Sequence, residues 1–242
     1  MPVQPVSSSM ITLQLLGCTD SHLLTLPDHD GKVSVHREVL APLVQLRDDA
    51  KAAGFDLRVA SGFRGFDRQC RIWNGKCRGD RPVLDNDGFP LAISKLSVDE
   101  KIDAILRWSA LPGASRHHWG TECDIYDAAA MPCDYQLALH PDEYTNGGIF
   151  APMMEWLTEY LQRPDSPAFY RPYLLDCGGV APEPWHISYR PIAEQYEAQW
   201  SVTLLREHLQ QLPIKERIEE QQYVINHLDR IYLRFVQLAP AA

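Results

Sequence analysis

The feature that most constrains the fold of this chain is a pair of short, well separated stretches that carry complementary groups. Residues 115–124 read Ser-Arg-His-His-Trp-Gly-Thr-Glu-Cys-Asp, and residues 183–186 read Glu-Pro-Trp-His. A catalytic zinc site usually takes three His, Asp or Glu ligands and leaves a fourth position for water, whose pKa falls to about 7 on the metal. His117, Asp124 and His186 can supply the ligands, and Glu183 can take the proton of the water. The fold must then bring both stretches together.

These residues resemble the motifs of a known family, the D-alanyl-D-alanine carboxypeptidases of the VanY and VanX type, which are zinc peptidases. The family motif Ser-x-His-x-x-Gly-x-Ala-x-Asp corresponds to residues 115–124, and its Glu-x-x-His motif with a preceding Trp corresponds to residues 183–186. A third element, a Ser-Gly-Tyr-Arg-like turn followed by Gln, corresponds to residues 61–64 and to Gln69. The resemblance spans residues 15–190 and keeps the family order.

The resemblance implies one zinc ion and a role for each matching residue. It selects His117 over the adjacent His118, and Asp124 over Asp127, as ligands. It makes Glu183 the general base and Arg64 the group that stabilises the oxyanion of the tetrahedral intermediate. The implied site is therefore catalytic Glu183 and Arg64; metal ligands His117, Asp124 and His186; and substrate-binding or supporting hydrogen-bond groups Ser61, Gln69 and Ser115.

Two residues beside the ligands keep open roles. Adjacent side chains of an extended chain point to opposite faces, so only one of His117 and His118 can face the metal, and His118 could still contact substrate. Glu122 stands where the family usually has a small residue. Alternation along a strand would put it on the same side as Asp124, where it either adds negative charge at the metal or hydrogen-bonds to a ligand histidine.

The hydrophobic pattern predicts an α+β fold, in which a small antiparallel sheet flanked by helices carries the zinc site and further helices follow at the C-terminus. Residues 97–100, Ser-Val-Asp-Glu, form a capping box, the usual start of a helix. The expected strands cover residues 57–60, 122–127 and 185–189, and the expected helices cover residues 35–53, 66–76, 97–109, 150–163, 192–211 and 214–236. We expect a flexible N-terminus over residues 1–14, a peptidase core over 15–190 and a helical extension over 191–242 packed on that core.

The charge and the hydrophobic composition of the chain indicate which classes of binding partner to expect. The chain has 242 residues and a formal net charge of -9, which gives no electrostatic reason to bind nucleic acid or an anionic membrane surface. No stretch approaches the roughly 20 apolar residues of a membrane span, and no secretory signal is recognisable at the start. The six cysteines form no Cys-x-x-Cys pair. We expect a soluble protein, with the cytoplasm favoured and the periplasm as the alternative, and the oligomeric state stays open.

The resemblance implies a zinc-dependent peptidase that hydrolyses the C-terminal peptide bond of peptidoglycan stem peptides or their fragments. D,D and L,D specificity, and carboxypeptidase, dipeptidase and endopeptidase activity, all share this set of residues. The alternative is a zinc-stabilised peptide-binding module of the same fold that has lost turnover. A purely structural site needs neither a free base nor an oxyanion group, so Glu183 and Arg64 favour the enzyme.

Overall fold

The computed structural model describes residues 8–27 and 33–238. Its strands are short and its helices are of moderate length. In chain order the elements are α1 (Ser8–Leu15), β1 (Leu23–Thr25), β2 (Ser34–His36), α2 (Leu40–Ala52), β3 (Leu57–Ser61), α3 (Phe66–Arg78), α4 (Val98–Trp108), β4 (Glu122–Asp127), α5 (Pro141–Tyr144), α6 (Ala151–Tyr160), β5 (Phe169–Tyr170), β6 (His186–Tyr189), α7 (Arg190–Glu197), α8 (Val202–Gln211), α9 (Gln221–Asn226) and α10 (Leu228–Ile231), with short 3-10 turns between them and a π-helical turn at Tyr232–Val236.

The central sheet has four antiparallel strands in the order β3-β4-β6-β5, and β1 pairs with β2 in a separate hairpin. Asp124 on β4 is paired with Ser61 on β3 and with His186 on β6. The three residues therefore form one row across three neighbouring strands. The predicted α+β class with a small antiparallel sheet is confirmed, and so is the expectation that His186 lies across from Asp124.

The helix expected over residues 35–53 is shorter than predicted. It begins at Leu40, and residues 34–36 form β2. The backbone of this strand forms hydrogen bonds to two distant segments. Phe63 N–H donates to the Ser34 carbonyl at 2.7 Å, and His36 N–H donates to the Gly120 carbonyl at 2.7 Å. These long-range hydrogen bonds outweigh the helical spacing of the apolar residues.

The buried apolar residues form three clusters, of which the two larger ones pack the elements around the site. One joins the sheet to α2 and α6, with Leu43, Ile125 and Leu157 fully buried. The other joins α3 and α4 to the C-terminal helices, with Trp73 and Ile105 buried in the same cluster as Leu205, Leu209, Val224, Leu228 and Ile231. The C-terminal helices thus share a core with the helices that follow the Arg64 turn.

The C-terminal region is more broken than the two expected helices. The predicted interruption at Leu212-Pro213 is present, but further breaks separate α7 from α8 and α9 from α10. Ser201 caps α8 by accepting a hydrogen bond from Leu204 N–H at 3.2 Å, which starts a new helix where a continuous one was expected.

At the N-terminus, residues 1–7 of the expected flexible segment lie outside the described residues, and the remainder, residues 8–14, belongs to α1. Among the residues described, none of the helices combines the length and the apolar character that crossing a membrane requires.

Candidate active site

Three predicted ligands converge where β4 and β6 meet. His117, Asp124 and His186 each offer one ligand atom, and these atoms lie within 4.8 Å of one another. His117 Nε2 is 3.3 Å from Asp124 Oδ2, and His186 Nδ1 is 3.2 Å from Asp124 Oδ1. All three side chains are buried. This group could hold one metal ion.

The second nitrogen of each imidazole is held by the protein. His117 Nδ1 lies 2.8 Å from the Gly62 carbonyl and can donate its proton there, which leaves the Nε2 lone pair toward Asp124. His186 Nε2 lies 2.8 Å from Glu122 Oε2, which leaves Nδ1 toward Asp124. His186 Nδ1 is a buried atom without a hydrogen-bond partner. An oriented lone pair of this kind fits a metal such as zinc, which takes neutral imidazole and carboxylate ligands.

Glu122 is the centre of a buried polar network behind His186. Its Oε1 accepts from Arg116 Nε at 3.0 Å and from Ser188 Oγ at 2.8 Å. Arg116 also forms an ion pair with Glu197 on α7 and donates to Tyr170 Oη at 2.7 Å. Of the two roles predicted for Glu122, its contacts match the second, a hydrogen bond to a ligand histidine. Its negative charge is balanced by a buried guanidinium.

Neighbouring charges dominate the ionisation of these groups. Burial opposes ionisation of Glu122, but Arg116 and the hydrogen bond from His186 outweigh it and lower the pKa of Glu122 to about 2. Burial likewise opposes ionisation of Asp124, and His117 and His186 hold the pKa of Asp124 well below its usual range. Both carboxyl groups are therefore anionic at neutral pH, the form that a metal ligand and its hydrogen-bonding partner need.

Glu183 lies next to the ligands without belonging to the group. Its Oε2 is 3.2 Å from His186 Nδ1, and its side chain is 17% exposed. The turn that carries it is held by a hydrogen bond from Glu183 N–H to the Tyr173 carbonyl at 2.7 Å. The carboxylate reaches both the ligands and the open cavity, which is the position that a general base requires.

Arg64 enters the same space from the end of β3. Its guanidinium donates to Ser61 Oγ at 3.3 Å and to Gln69 Oε1 at 3.2 Å. Gln69 is fully buried and donates to the Ala110 carbonyl at 2.6 Å. Ser61 and Gln69 therefore orient Arg64, which is the supporting role that the sequence left open for them. Ser115 lines the cavity itself.

His118 contacts the backbone of the turn that carries Arg64. Residues 116–119 form a 3-10 turn rather than an extended chain, and His118 is fully buried. Its Nδ1 lies 2.5 Å from the Arg64 carbonyl, and its Nε2 accepts from Gly113 N–H at 3.0 Å. Burial lowers the pKa of His118 to about 3, so the ring is neutral. His118 therefore fixes the backbone of Arg64, and it is not among the residues of the cavity wall.

Gly120 makes the tight turn between His117 and β4 possible. Its φ is +71°, and a Cβ atom there would lie 2.8 Å from the His36 backbone nitrogen and 2.6 Å from a methyl group of Leu23. A side chain would therefore both strain the backbone and displace the β1–β2 hairpin.

A cavity of about 260 Å³ opens onto the ligands. Its wall includes the predicted Arg64, Ser115 and Glu183, and also residues that the motifs did not indicate, namely Lys76, Trp108, Leu139, Tyr173 and Phe235. Phe235 comes from the C-terminal region, so that region contributes to the wall. Another hollow of about 490 Å³, beside Phe55, contains none of the predicted site residues.

Comparison with known proteins identifies the family of this chain. The family described as VanY, D-alanyl-D-alanine carboxypeptidase, matches residues 32–192. An uncharacterized protein of Haemophilus influenzae is 38% identical over 128 residues, which are 52% of this chain and 92% of that protein.

Two solved structures are similar in part. One is a mutant of the vancomycin resistance D,D-pentapeptidase VanY from a VanB-type resistance cassette, in complex with Zn(II); it is 26% identical, with a TM-score of 0.49 over 74% of this chain and 85% of that chain. The other is VanYB in complex with D-alanine-D-alanine, at 23% identity and a TM-score of 0.49 over 81% of this chain and 91% of that chain. The family match covers 161 of the 242 residues and includes every predicted site residue. The chain therefore belongs to the VanY family of D-alanyl-D-alanine carboxypeptidases.

Proposed function

We propose that this protein is a zinc-dependent peptidase that removes the C-terminal residue, D-alanine, from peptidoglycan stem peptides or fragments derived from them. The observation that carries the proposal is the position of Glu183, whose carboxylate lies 3.2 Å from the free Nδ1 of His186 while remaining outside the ligand group. A metal site with an adjacent, unligated carboxylate has the parts of a hydrolase.

Each side chain has a distinct task in this reaction. His117, Asp124 and His186 would hold the zinc ion, which would supply Lewis-acid chemistry to the scissile carbonyl and to the attacking water. Glu183 accepts the proton of the attacking water and passes it to the leaving amine. The proton thus travels from nucleophile to leaving group through one carboxylate, which is why the base must not be a ligand.

Arg64 stabilises the negative charge that develops on the carbonyl oxygen. Its guanidinium is oriented by Ser61 and Gln69, and its backbone carbonyl is bonded to His118. Its buried Nε has no hydrogen-bond partner, so the side chain retains a free donor. A preorganised cation of this kind binds the oxyanion more strongly than it binds the neutral carbonyl of the substrate.

The first test is hydrolysis of a stem pentapeptide and of free D-Ala-D-Ala by the zinc-loaded protein, with released D-alanine measured by mass spectrometry. We expect release by the unmodified protein and a loss of about 100- to 10,000-fold in kcat for Glu183→Ala, because general-base catalysis contributes about that factor. Glu159→Ala, which changes an exposed carboxylate on α6, is the matched control and should keep full activity.

The same assay separates the enzyme from its alternative. Peptides that end in an L,D bond and cross-linked dimers extend the panel to the other specificities that this site can serve. Hydrolysis of none of them by folded, zinc-loaded protein would contradict the proposal and favour the peptide-binding module. Equal activity of the Glu183→Ala variant and the unmodified protein would remove Glu183 from the mechanism.

A further inference from the structure

Lys76 is a cation in the wall of the active-site cavity that the proposed mechanism does not use. It lies on α3, whose first residue follows Arg64 by two positions, and its side chain lines the same cavity as Glu183 and the ligands. Trp73 and Cys77, on the core side of this helix, are buried, whereas Lys76 is half-buried. The helix thus presents an amine to the substrate space.

The ammonium group of Lys76 has no hydrogen bond or ion pair to any residue in 8–27 or 33–238. Lys101, the other partly buried lysine of this region, is paired with Glu220 at 2.5 Å. Burial, together with the nearby Arg81 and Arg64, lowers the pKa of Lys76 to about 8, and Glu183 opposes that shift. Glu183 and Asp124 line the same cavity, and each has a carboxylate oxygen 3.2 Å from His186 Nδ1. A partly desolvated charge without a partner is costly and favours an anionic ligand.

We infer that Lys76 binds a carboxylate of the peptide substrate and thereby selects substrates that carry one beside the scissile bond. The inference rests on the proposed function, because a peptidase that removes a terminal residue always meets a free carboxylate. The cavity of about 260 Å³ is small, so a terminal carboxylate stays within the reach of groups on its wall. An acidic side chain next to the scissile bond offers the same chemistry, and the experiment distinguishes the two sources.

The test is peptide binding to zinc-loaded protein in the Glu183→Ala background, where turnover does not interfere, measured by isothermal titration calorimetry. One pair of peptides ends in D-Ala-D-Ala as a free acid or as a carboxamide, and a second pair carries Glu or Gln before the scissile bond. We expect the free acid to bind about 10- to 100-fold more tightly than the carboxamide, the range for a charged hydrogen bond. Lys76→Met should bring this ratio close to one.

Two variants control for indirect effects. Lys76→Arg should keep the preference for the free acid both at neutral pH and at pH 9.5, because arginine stays charged. With Lys76 in place the preference should disappear at pH 9.5, because a lysine with a pKa of about 8 has lost its charge there. Lys95→Ala, which removes an exposed cation elsewhere, should leave both ratios unchanged. Each comparison is a ratio of the affinities of one protein for two ligands. A general loss of folded or zinc-loaded protein lowers both affinities and so does not produce the expected change in the ratio.

The outcomes separate this inference from the proposed function. If Lys76→Met changes only the Glu/Gln ratio, the carboxylate comes from the substrate side chain. If neither ratio depends on Lys76, the inference is overturned even when hydrolysis by the unmodified protein is normal. If the unmodified protein hydrolyses no peptide but the acid preference still depends on Lys76, the proposed reaction fails while the carboxylate subsite stands.

Discussion

Glu122 is the residue at which this chain departs most clearly from the family motif, and its contacts give the departure a physical role. It hydrogen-bonds to His186 Nε2 on one side and to Arg116 on the other. Carboxylates behind metal-binding histidines fix the ring orientation and raise the basicity of the ligand nitrogen. The buried charge is tolerated because Arg116 compensates it, so the two residues act as a unit.

We predict that Glu122→Ala weakens zinc binding by about 10- to 100-fold, the usual effect of removing such a partner. The same change leaves Arg116 with one carboxylate fewer in a buried site, so it should also lower the thermal midpoint of unfolding. The double variant Glu122→Ala/Arg116→Met removes the stranded charge. It should recover much of the stability but none of the zinc affinity, measured by competition with a chromophoric chelator. Recovery of both properties would show that Glu122 acts on the fold alone.

The motifs predicted which residues meet at the site but not how they are supported. His117, Asp124, His186 and Glu183 are brought together as their spacing indicates. The role of His118 depends on a 3-10 turn that adjacent histidines in a sequence do not reveal. In the sequence, Lys76 cannot be told from a surface lysine. Its partial burial and its lack of an ion-pair partner become visible only when the position of α3 beside the cavity is known.

At the scale of elements, the three strands of the ligand row were predictable because each is a short stretch with the alternation or the composition of a strand. Strand β2 was not, since its pairing with β1 and its bonds to Phe63 and Gly120 join distant parts of the chain. The break at Leu212-Pro213 was predicted, but the breaks between α7 and α8 and between α9 and α10 were not. Ser201 caps the start of α8, and α8, α9 and α10 pack in one buried cluster.

The capping box of α4 offers a prediction at this scale. Ser97 Oγ accepts from Glu100 N–H at 3.3 Å, and the Glu100 carboxylate accepts from Ser97 N–H at 2.9 Å. We expect Ser97→Ala to lower the free energy of unfolding by about 1 kcal/mol, measured by urea denaturation. Zinc affinity should not change, because α4 packs in the core that supplies no ligand. Ser94→Ala, at a nearby exposed serine, is the control that should leave both quantities unaltered.

For the whole molecule, the two larger cores support different groups of the site. The core of the sheet holds the ligands through β4 and β6, and the core of α3, α4 and the C-terminal helices holds the segment after Arg64. Arg116 contacts both Glu122 on β4 and Glu197 on α7, whose buried residues belong to a third, smaller cluster. The motifs sufficed to predict the ligands, whereas Lys76, on the cavity side of α3, and Phe235, in the second core, lie outside the motifs and were not foreseen.

Buried neutral histidines should make the stability of the molecule depend on pH. His22 and His36 have ring centroids 5.5 Å apart and are both buried. Burial lowers the pKa of each to about 4, from 6.5. Unfolding therefore takes up a proton at each ring between pH 6.5 and pH 4, so the folded state loses stability as the pH falls through this range.

Replacing one ring isolates that effect. We expect His22→Phe, which keeps an aromatic ring against Phe63 and Tyr196, to reduce the slope of the free energy of unfolding against pH by up to about 1.4 kcal/mol per pH unit between pH 6.5 and pH 4. Between pH 6.5 and pH 4, the pH-dependent loss of the free energy of unfolding should be smaller in the variant by about 3 kcal/mol in total. Urea denaturation at half-unit pH steps measures both slopes. Parallel curves for the variant and the unmodified protein would mean that His22 already carries its proton in the folded state, and that this aromatic cluster accommodates a buried charge.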